Sequence, residues 1–545
     1  MSNQAWILVV FAVYFSAIIG LAIRFRKSQN LTDYFLGGRK LNTWVGALSA
    51  QTSDMSGWLL MGFPGMIYAY GTGRVWMAVG LIIGTVLNWC FVAKRLRRYT
   101  IVANNSITLP EFLGNRYHDK TNVLKLVAAV FFAIFFTVYV TSGFVAGGTL
   151  LPQIFPGLSF TTALLIVATF VVGYTFIGGL MAISWTDSIQ GMMMLLAVFF
   201  LPLIVIVHMG GFGDMAAVLP AGYLNPGTMA VPNYLTGYTA ANVAWRGVVS
   251  DLAWGLGYFG MPHILIKLIA IKKEKNVSRS AIIAIVWVLL ALGSALLIGI
   301  VGHAFINPAL DYGMRETVFI NMITSIFLER GTLWATLLGG LFLCGMFAAI
   351  KSTADSQLLV GSSAIGDIYK LANKKASDKH LVWFSRGAVL VVAVLAVLFA
   401  LNAYVPAHYN DAGVFVPGAV DRNSGVMALV AMAWAGFGSA FGPLVLCSLF
   451  WKRTTKVGAV AGILVGGLTV ILWQYIPMLQ GTGAMYGQLV TLSASAANGG
   501  TGIFSLVPGF ALSLCAIIVG SLVTRKPSAE ILEQFATAQQ PLVED

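Results

Sequence analysis

Apolar residues along this chain come in runs of about 20, long enough to cross a bilayer as helices, and short polar stretches separate the runs. The pattern predicts thirteen helices: Trp6–Phe25, Thr43–Tyr70, Trp76–Val92, Val123–Leu150, Thr161–Ser184, Asp187–Val207, Ala241–Ile271, Ala281–Phe305, Trp334–Ile365, Trp383–Leu401, Val426–Phe450, Val457–Ile476 and Ile503–Val523. An amphipathic piece near Thr317–Leu328 is expected to lie against the outer surface. Nothing alternates over the ~10-residue strands of a membrane barrel. The expected class is an all-α polytopic membrane protein in a lipid bilayer.

The polar stretches test the count. With the N-terminus outside and loops alternating, one side collects twenty-seven lysines and arginines and the other five, with Lys351 left inside a span. The basic clusters are Arg24–Lys40, Lys94–Lys125, Lys267–Arg279, Lys370–Arg386, Lys452–Lys456 and Arg525 with Lys526. So skewed a division obeys the positive-inside rule and places the N-terminus out and the C-terminus in. Of the 545 residues 58% are apolar and 10% charged, against about 25% charged in soluble domains. The net charge of +13 therefore reads as anchoring of the cytoplasmic face, not as a nucleic-acid patch. Cys90, Cys344, Cys447 and Cys515 all fall in apolar runs without metal-ligand spacing and read as free core thiols. The first apolar run lacks a basic leader and a cleavage site, so it is expected to be retained.

Charges inside a bilayer are costly and need a reason. Asp54, Asp187, Asp251, Lys351 and Asp355 are the embedded ones, and each could be a helix end, a snorkelling group or a structural ion pair. The second helix carries Ser49-Ala-Gln-Thr-Ser-Asp-Met-Ser-Gly-Trp58, too small and polar for a lipid-facing surface, which suggests backbone that leaves the helical ladder and lines a cavity. The seventh carries Trp254-Gly-Leu-Gly-Tyr-Phe-Gly-Met-Pro262, rich in residues that break helices. The two are five helices apart, and five is odd, so two five-helix units have opposite topology. Interrupted helices at matching positions of inverted repeats point to a secondary transporter. The division is a peripheral helix and loop (1–42), repeat one (43–207), an outer loop (208–240), repeat two (241–450), peripheral helices (451–523) and a tail (524–545). No nucleotide-binding loop or metallohydrolase motif is present, so an enzyme is not expected.

Several motifs are identified with a known family. Tyr34-Phe-Leu-Gly-Gly-Arg39, Ala47-Leu-Ser-Ala50, Ser53-Asp-Met-Ser-Gly-Trp-Leu-Leu-Met-Gly62, Tyr174-Thr-Phe-Ile-Gly-Gly179, Ser184-Trp-Thr-Asp187, Pro262-His263 and Ala431-Met-Ala-Trp-Ala-Gly-Phe-Gly438 resemble the sodium/solute symporter family over most of the chain. The resemblance implies a LeuT-type inverted-repeat core of 5+5 helices within about thirteen, in the plasma membrane. It also implies symport of a small amino acid, L-proline first, with Na+, and no other cofactor. Substrate would sit against Trp254, Tyr258, Pro262, Tyr139, Ser56 and Gly57. Sodium would take the carbonyls of Thr52, Met55 and Ala349 with the hydroxyls of Ser352 and Thr353, an oxygen set suited to a hard cation.

Asp54 is expected to organise the broken helix end, where a carboxylate serves exposed N–H groups; a direct ion ligand is the alternative. Trp254 and Tyr258, at i and i+4, would share a helix face. Arg39 matches a family arginine but also reads as an anchor. Asp187 matches an aspartate that holds a second sodium in some members, yet Asp187-Ser-Ile-Gln190 also reads as a capped helix start. One departure stands out: Lys351 replaces an expected apolar residue and Asp355 an expected small hydroxyl. At i and i+4 they can pair. Three readings stay open: the ammonium replaces an ion and makes uptake of proline or another small solute sodium-independent, Asp187 and Asp355 form a proton- or sodium-binding pair so that H+ is the alternative coupling ion, or the two are a structural ion pair.

Overall fold

The computed structural model describes residues 2–25, 30–233, 237–310, 312–329, 331–373, 375–405, 408–409, 415–416, 419–420, 425–475, 477–478, 490–491 and 502–541. The stretches 402–423 and 477–501 between expected spans fall largely outside these residues, as do Arg26, Lys27, Arg330, Lys374 and Arg422 among the orienting charges.

Helix α1 (Asn3–Phe25) precedes the short α2 (Leu31–Leu36). The Asn42 side chain accepts from the Val45 N–H to start α3 (Thr43–Asp54), whose ladder ends at Met55 (φ −83°, ψ 80°). A wide turn at Trp58–Gly62 then leads into α4 (Phe63–Tyr70), α5 (Val75–Leu87) and α6 (Ala93–Val102). After the surface helix α7 (Leu109–Arg116) come α8 (Val123–Ile154), α9 (Phe160–Gly178), α10 (Leu180–His208) and the short α11 (Phe212–Ala217). Strands β1 (Thr228–Asn233) and β2 (Gly237–Asn242) pair antiparallel. Next, α12 (Trp245–Leu252) tightens to three residues per turn over Ala253–Phe259, breaks, and resumes as α13 (Pro262–Ile269). The remaining helices are α14 (Glu274–Phe305), α15 (Val318–Ile323), α16 (Leu333–Ala372), α17 (Asp378–Asn402), α18 (Val426–Phe450), α19 (Lys456–Tyr475), α20 (Leu506–Val523) and α21 (Ala529–Gln539).

Among the described residues eleven helices are long and apolar enough to cross a membrane, or twelve when Trp245–Phe259 and Pro262–Ile269, bent by 45°, count as one. The second expected span, Thr43–Tyr70, is the one that does not count by itself: α3 is short, and the C-terminal half of the span runs on within Trp58–Val102. Long α16 packs against α8 and α10, and α10 also against α3, so the polar strip of α16 faces α3 and α10 in the centre of the bundle. α18, α19 and α20 pack on one another beside α8, and α1 leans on α16 and α10.

Four expectations need correction. The boundary expected at Ser184–Asp187 lies at Gly179 (φ +79°, ψ 173°), a conformation open to glycine alone. Asp187 is thus an interior residue of α10 and not a helix start. The seventh helix begins at Trp245, because the residues before it form the hairpin. Lys267, counted as a cytoplasmic anchor, is fully buried on α13. Cys90 and Cys515 are exposed, so only Cys344 and Cys447 are core thiols. The Thr317–Leu328 piece is α15 with a wide turn after it, and its Val318, Phe319, Ile323 and Phe327 side chains are buried against the bundle.

Candidate functional site

Two interrupted helices meet at the centre. The break after Asp54 exists because Met55-Ser-Gly57 leaves the helical ladder, and Gly57 has room for little more than hydrogen: a Cβ there would lie 2.9 Å from the Ala146 Cβ. The tight segment Ala253–Phe259 is pressed between α5 and α18. A Cβ on Gly255 would lie 2.1 Å from the Gly80 carbonyl oxygen, so only glycine permits this backbone-to-backbone approach.

Across the gap, the Tyr258 hydroxyl donates to Asp54 Oδ2 at 2.5 Å. Both groups are buried, and among the described residues Asp54 Oδ1 accepts no hydrogen bond. The Asp54 carboxylate therefore ties the two broken helices together instead of capping a backbone N–H, which corrects that expectation. Tyr139 on α8 is fully buried with its hydroxyl unpaired among the described residues, within electrostatic reach of Asp54. Its ring meets His263 edge-on at 5.6 Å. Pro262 opens α13, and Ser56 Oγ accepts from the Trp58 N–H at 3.4 Å.

Trp254 and Tyr258 lie in a three-residue-per-turn segment, where positions four apart diverge by about 120° instead of stacking. They do not share one helix face; they flank a third ring. Trp434 of α18 stacks with Trp254 at 6.2 Å, meets Tyr258 edge-on at 5.2 Å and donates its Nε1–H to the Trp254 carbonyl at 2.8 Å. Phe504 also stacks with Trp254, at 5.0 Å. Sequence reasoning quoted Trp434 within a motif but gave it no role; an aromatic three residues before Phe437 in a helix looks like ordinary packing.

Below the break, the Thr52 carbonyl accepts from Ser352 Oγ at 3.3 Å and from Thr353 Oγ1 at 3.2 Å, and Ser352 Oγ also lies 3.2 Å from the Ala349 carbonyl. Four of the five expected sodium ligands are thus brought together, all buried at the α3–α16 contact. Met55 sits at the break itself. The donor set is all oxygen, the chemistry a hard monovalent cation requires.

A buried charge network adjoins this site. Asp187 Oδ2 accepts from Ser49 Oγ (3.0 Å) and Ser53 Oγ (3.2 Å) and pairs with Lys267 Nζ at 3.1 Å. Lys267 Nζ also donates to Ser49 Oγ (2.8 Å) and Ser184 Oγ (3.2 Å). Beside it, Lys351 and Asp355 pair at 2.6 Å, both with no exposed side-chain surface. Sequence reasoning missed Lys267, since a lysine at the end of an apolar run looks like an anchor until its partner, 80 residues away, is located. Asp251, the last embedded charge, pairs with Arg74 at 2.9 Å.

The C-terminal end of α13 is fastened by two arginines. Arg39 donates to the carbonyls of Ile269 (2.8 Å) and Ser106 (3.0 Å), and Arg97 to those of Ile271 (2.7 Å) and Lys272 (2.6 Å). The Ile269, Ile271 and Lys272 carbonyls lie at or just past the C-terminus of α13, where cations are favoured, and Ser106 belongs to the loop between α6 and α7. Arg39 is therefore more than a surface anchor.

Residues 34–466 match the sodium:solute symporter family. The chain is 39% identical to the high-affinity proline transporter of Bacillus subtilis over 95% of its length and 98% of that protein's. It is also 39% identical to the sodium/proline symporter of Escherichia coli, over 97% of this chain and 96% of the relative. A substrate-bound, outward-open Na+-coupled sialic acid symporter superposes with a TM-score of 0.72 at 18% identity, over 96% of this chain and 99% of that one, which shows a common, LeuT-type fold.

Proposed function

The chain is a member of the sodium:solute symporter family, and on that premise we propose that it imports L-proline, or a similar small amino acid, across the plasma membrane together with sodium. The names of its relatives support the substrate and the ion. The observation that carries the reading is the meeting of the two interrupted helices: Asp54 and Tyr258 bond across the gap two residues from the Thr52 carbonyl, which itself faces Ser352 and Thr353. Substrate and ion sites therefore share one broken helix end.

Each group has a part in this mechanism. Trp254, Tyr258, Pro262, Tyr139, Ser56 and Gly57 enclose the substrate, the rings offering apolar faces to a pyrrolidine and the hydroxyls polar handles. Thr52, Met55, Ala349, Ser352 and Thr353 supply sodium with carbonyl and hydroxyl oxygens. Asp54 and Asp187 organise the ion side. Sodium binding holds α3 to α16 and favours the outward-open state. Substrate then draws the Ala253–Phe259 segment over itself, and release of α13 from Arg39 and Arg97 opens the inner side and weakens the ion site. The repeats 43–207 and 241–450, thirteen crossings with the N-terminus out and the C-terminus in, belong to the same proposal.

Radiolabelled proline uptake into proteoliposomes tests it. Accumulation above equilibrium under an inward sodium gradient is the expected result. Accumulation under a proton gradient alone, or none under either, would overturn the assignment of the ion or of the substrate respectively.

A further inference from the structure

The Lys351 ammonium is surrounded as a bound cation would be. Asp355 Oδ2 lies 2.6 Å from Nζ, Thr186 Oγ1 at 3.2 Å, Gln190 Oε1 at 3.5 Å, and the Tyr174 ring centroid at 3.5 Å. This is one carboxylate, one hydroxyl, one amide carbonyl and one aromatic face, contributed by α9, α10 and α16. The donors are also held in place from behind. Gln190 donates its amide to the Tyr14 hydroxyl, which turns Oε1 toward the lysine, and the Tyr174 and Thr186 hydroxyls bond each other at 2.7 Å. Every one of these side chains is buried.

The cage keeps unused acceptors. Among the described residues neither Asp355 Oδ1 nor Asp187 Oδ1 accepts a hydrogen bond, although both are fully buried. With Lys267 on Asp187 and Lys351 on Asp355, two carboxylates are matched by two ammonium groups. No negative charge is left over in this part of the bundle to attract a free cation. Asp54 lies apart, on Tyr258.

We propose that Lys351 is a resident cation: its ammonium fills a monovalent-cation cage made by Asp355, Thr186, Gln190 and the Tyr174 face, and so limits the transporter to one coupling ion. The inference rests on the sodium site at Thr52, Ser352 and Thr353 proposed above, which it leaves as the one site open to a free ion among the described residues. Deleting the ammonium while keeping Asp355 exposes an uncompensated buried carboxylate inside a ready set of oxygens. A buried charge left in that way demands a counter-ion, and sodium fits the donors.

The test uses the full-length protein with Lys351→Met, and with Lys351→Met combined with Asp355→Ser. Purified protein in detergent is melted without proline over a series of NaCl concentrations, choline chloride keeping ionic strength constant. Stabilisation by a ligand grows with the logarithm of its concentration once for each saturable site. The sodium-dependent rise in melting temperature of Lys351→Met should therefore be about twice as steep as that of the wild type, and the double variant should return to the wild-type slope. In proteoliposomes at zero membrane potential, a tenfold sodium gradient should support about tenfold proline accumulation by wild type and about hundredfold by Lys351→Met, because each added coupled ion multiplies the ratio by the gradient.

A Lys351→Met slope equal to that of the wild type overturns the proposal. So does a Lys351→Met protein that is unfolded in choline and not rescued by sodium, since the pair would then be structural only. The melting arm needs no transport. If wild type shows sodium stabilisation but no proline uptake, the substrate reading falls and the resident-cation inference is still decided.

Discussion

Lys267→Met removes one of two ammonium groups in the buried network, and the cost follows from the geometry. Nζ lies 3.1 Å from Asp187 Oδ2, with no exposed surface on either side chain. At an effective dielectric of about 20, two charges at that distance attract by about 5 kcal/mol. Not all of this is lost, because Asp187 keeps the hydroxyls of Ser49, Ser53 and Ser356 at 3.0, 3.2 and 3.4 Å. Removing one partner of a buried pair costs about 3–5 kcal/mol; the three retained donors put this case near the lower end, about 3 kcal/mol. Removing both charges, as in Lys267→Met with Asp187→Leu, leaves no orphaned carboxylate and should fold close to wild-type stability, although without coupled transport. Denaturant unfolding of the purified protein in detergent, followed by tryptophan fluorescence, gives all the corners of this double-mutant cycle. The reasoning fails if Lys267→Met is as stable as the wild type, or if the double variant costs the sum of the two single ones.

Three further outcomes are expected. Ser352→Ala with Thr353→Ala removes both hydroxyls facing the Thr52 carbonyl and should raise the sodium concentration for half-maximal uptake about tenfold or more, each hydrogen-bonding group contributing about 1 kcal/mol; an unchanged sodium dependence would move the ion elsewhere. Tyr258→Phe keeps the ring against Trp434 but frees Asp54, so the apparent KM for proline should rise about ten- to hundredfold, for a hydrogen bond to a charged group worth about 1.5–3 kcal/mol, while the protein still inserts; an unchanged KM separates this bond from the substrate. Outside the membrane, burial acts upward on the Asp119 carboxyl, but bonds from Thr121, Leu124 and Lys456 outweigh it and hold its pKa below the usual range. Its stabilising effect is then present above about pH 4 and fades as the pH falls through the folded-state value. Asp119→Asn should therefore melt earlier than wild type at pH 7 and converge with it in acid, and a gap that persists in acid would point to packing instead of charge.

The spans and the two interruptions were legible because a bilayer sets a minimum apolar length and because glycine and proline declare themselves. The motif residues around Asp54 and Trp254 could be placed for the same reason. Polar residues inside helices were harder to read. Ser184 and Asp187 looked like a loop, and Lys267 like an anchor, because each is stabilised by partners on other helices that spacing along one helix does not reveal. The tightened turn at Ala253–Phe259 was also invisible: the same residues read at ordinary helical pitch put Trp254 and Tyr258 on one face, whereas packing against α5 and α18 winds them apart around Trp434. Lys351 and Asp355 were the reverse case, since a spacing of four on one helix already predicts their contact.

The arginine fastening of α13 bears on how such a machine tolerates its own fuel. Arg39 and Arg97 hold neutral carbonyls, and Arg97 is almost wholly covered. Contacts of this kind involve no opposed surface charges for dissolved salt to screen, unlike the more open Arg98–Glu274 pair on the same face. In the proposed cycle α13 forms the inner door, and that door must stay indifferent to the total salt around it, or brine alone would work the latch. Fastening that door to peptide oxygens leaves sodium a single lever on the cycle, the one at its binding site.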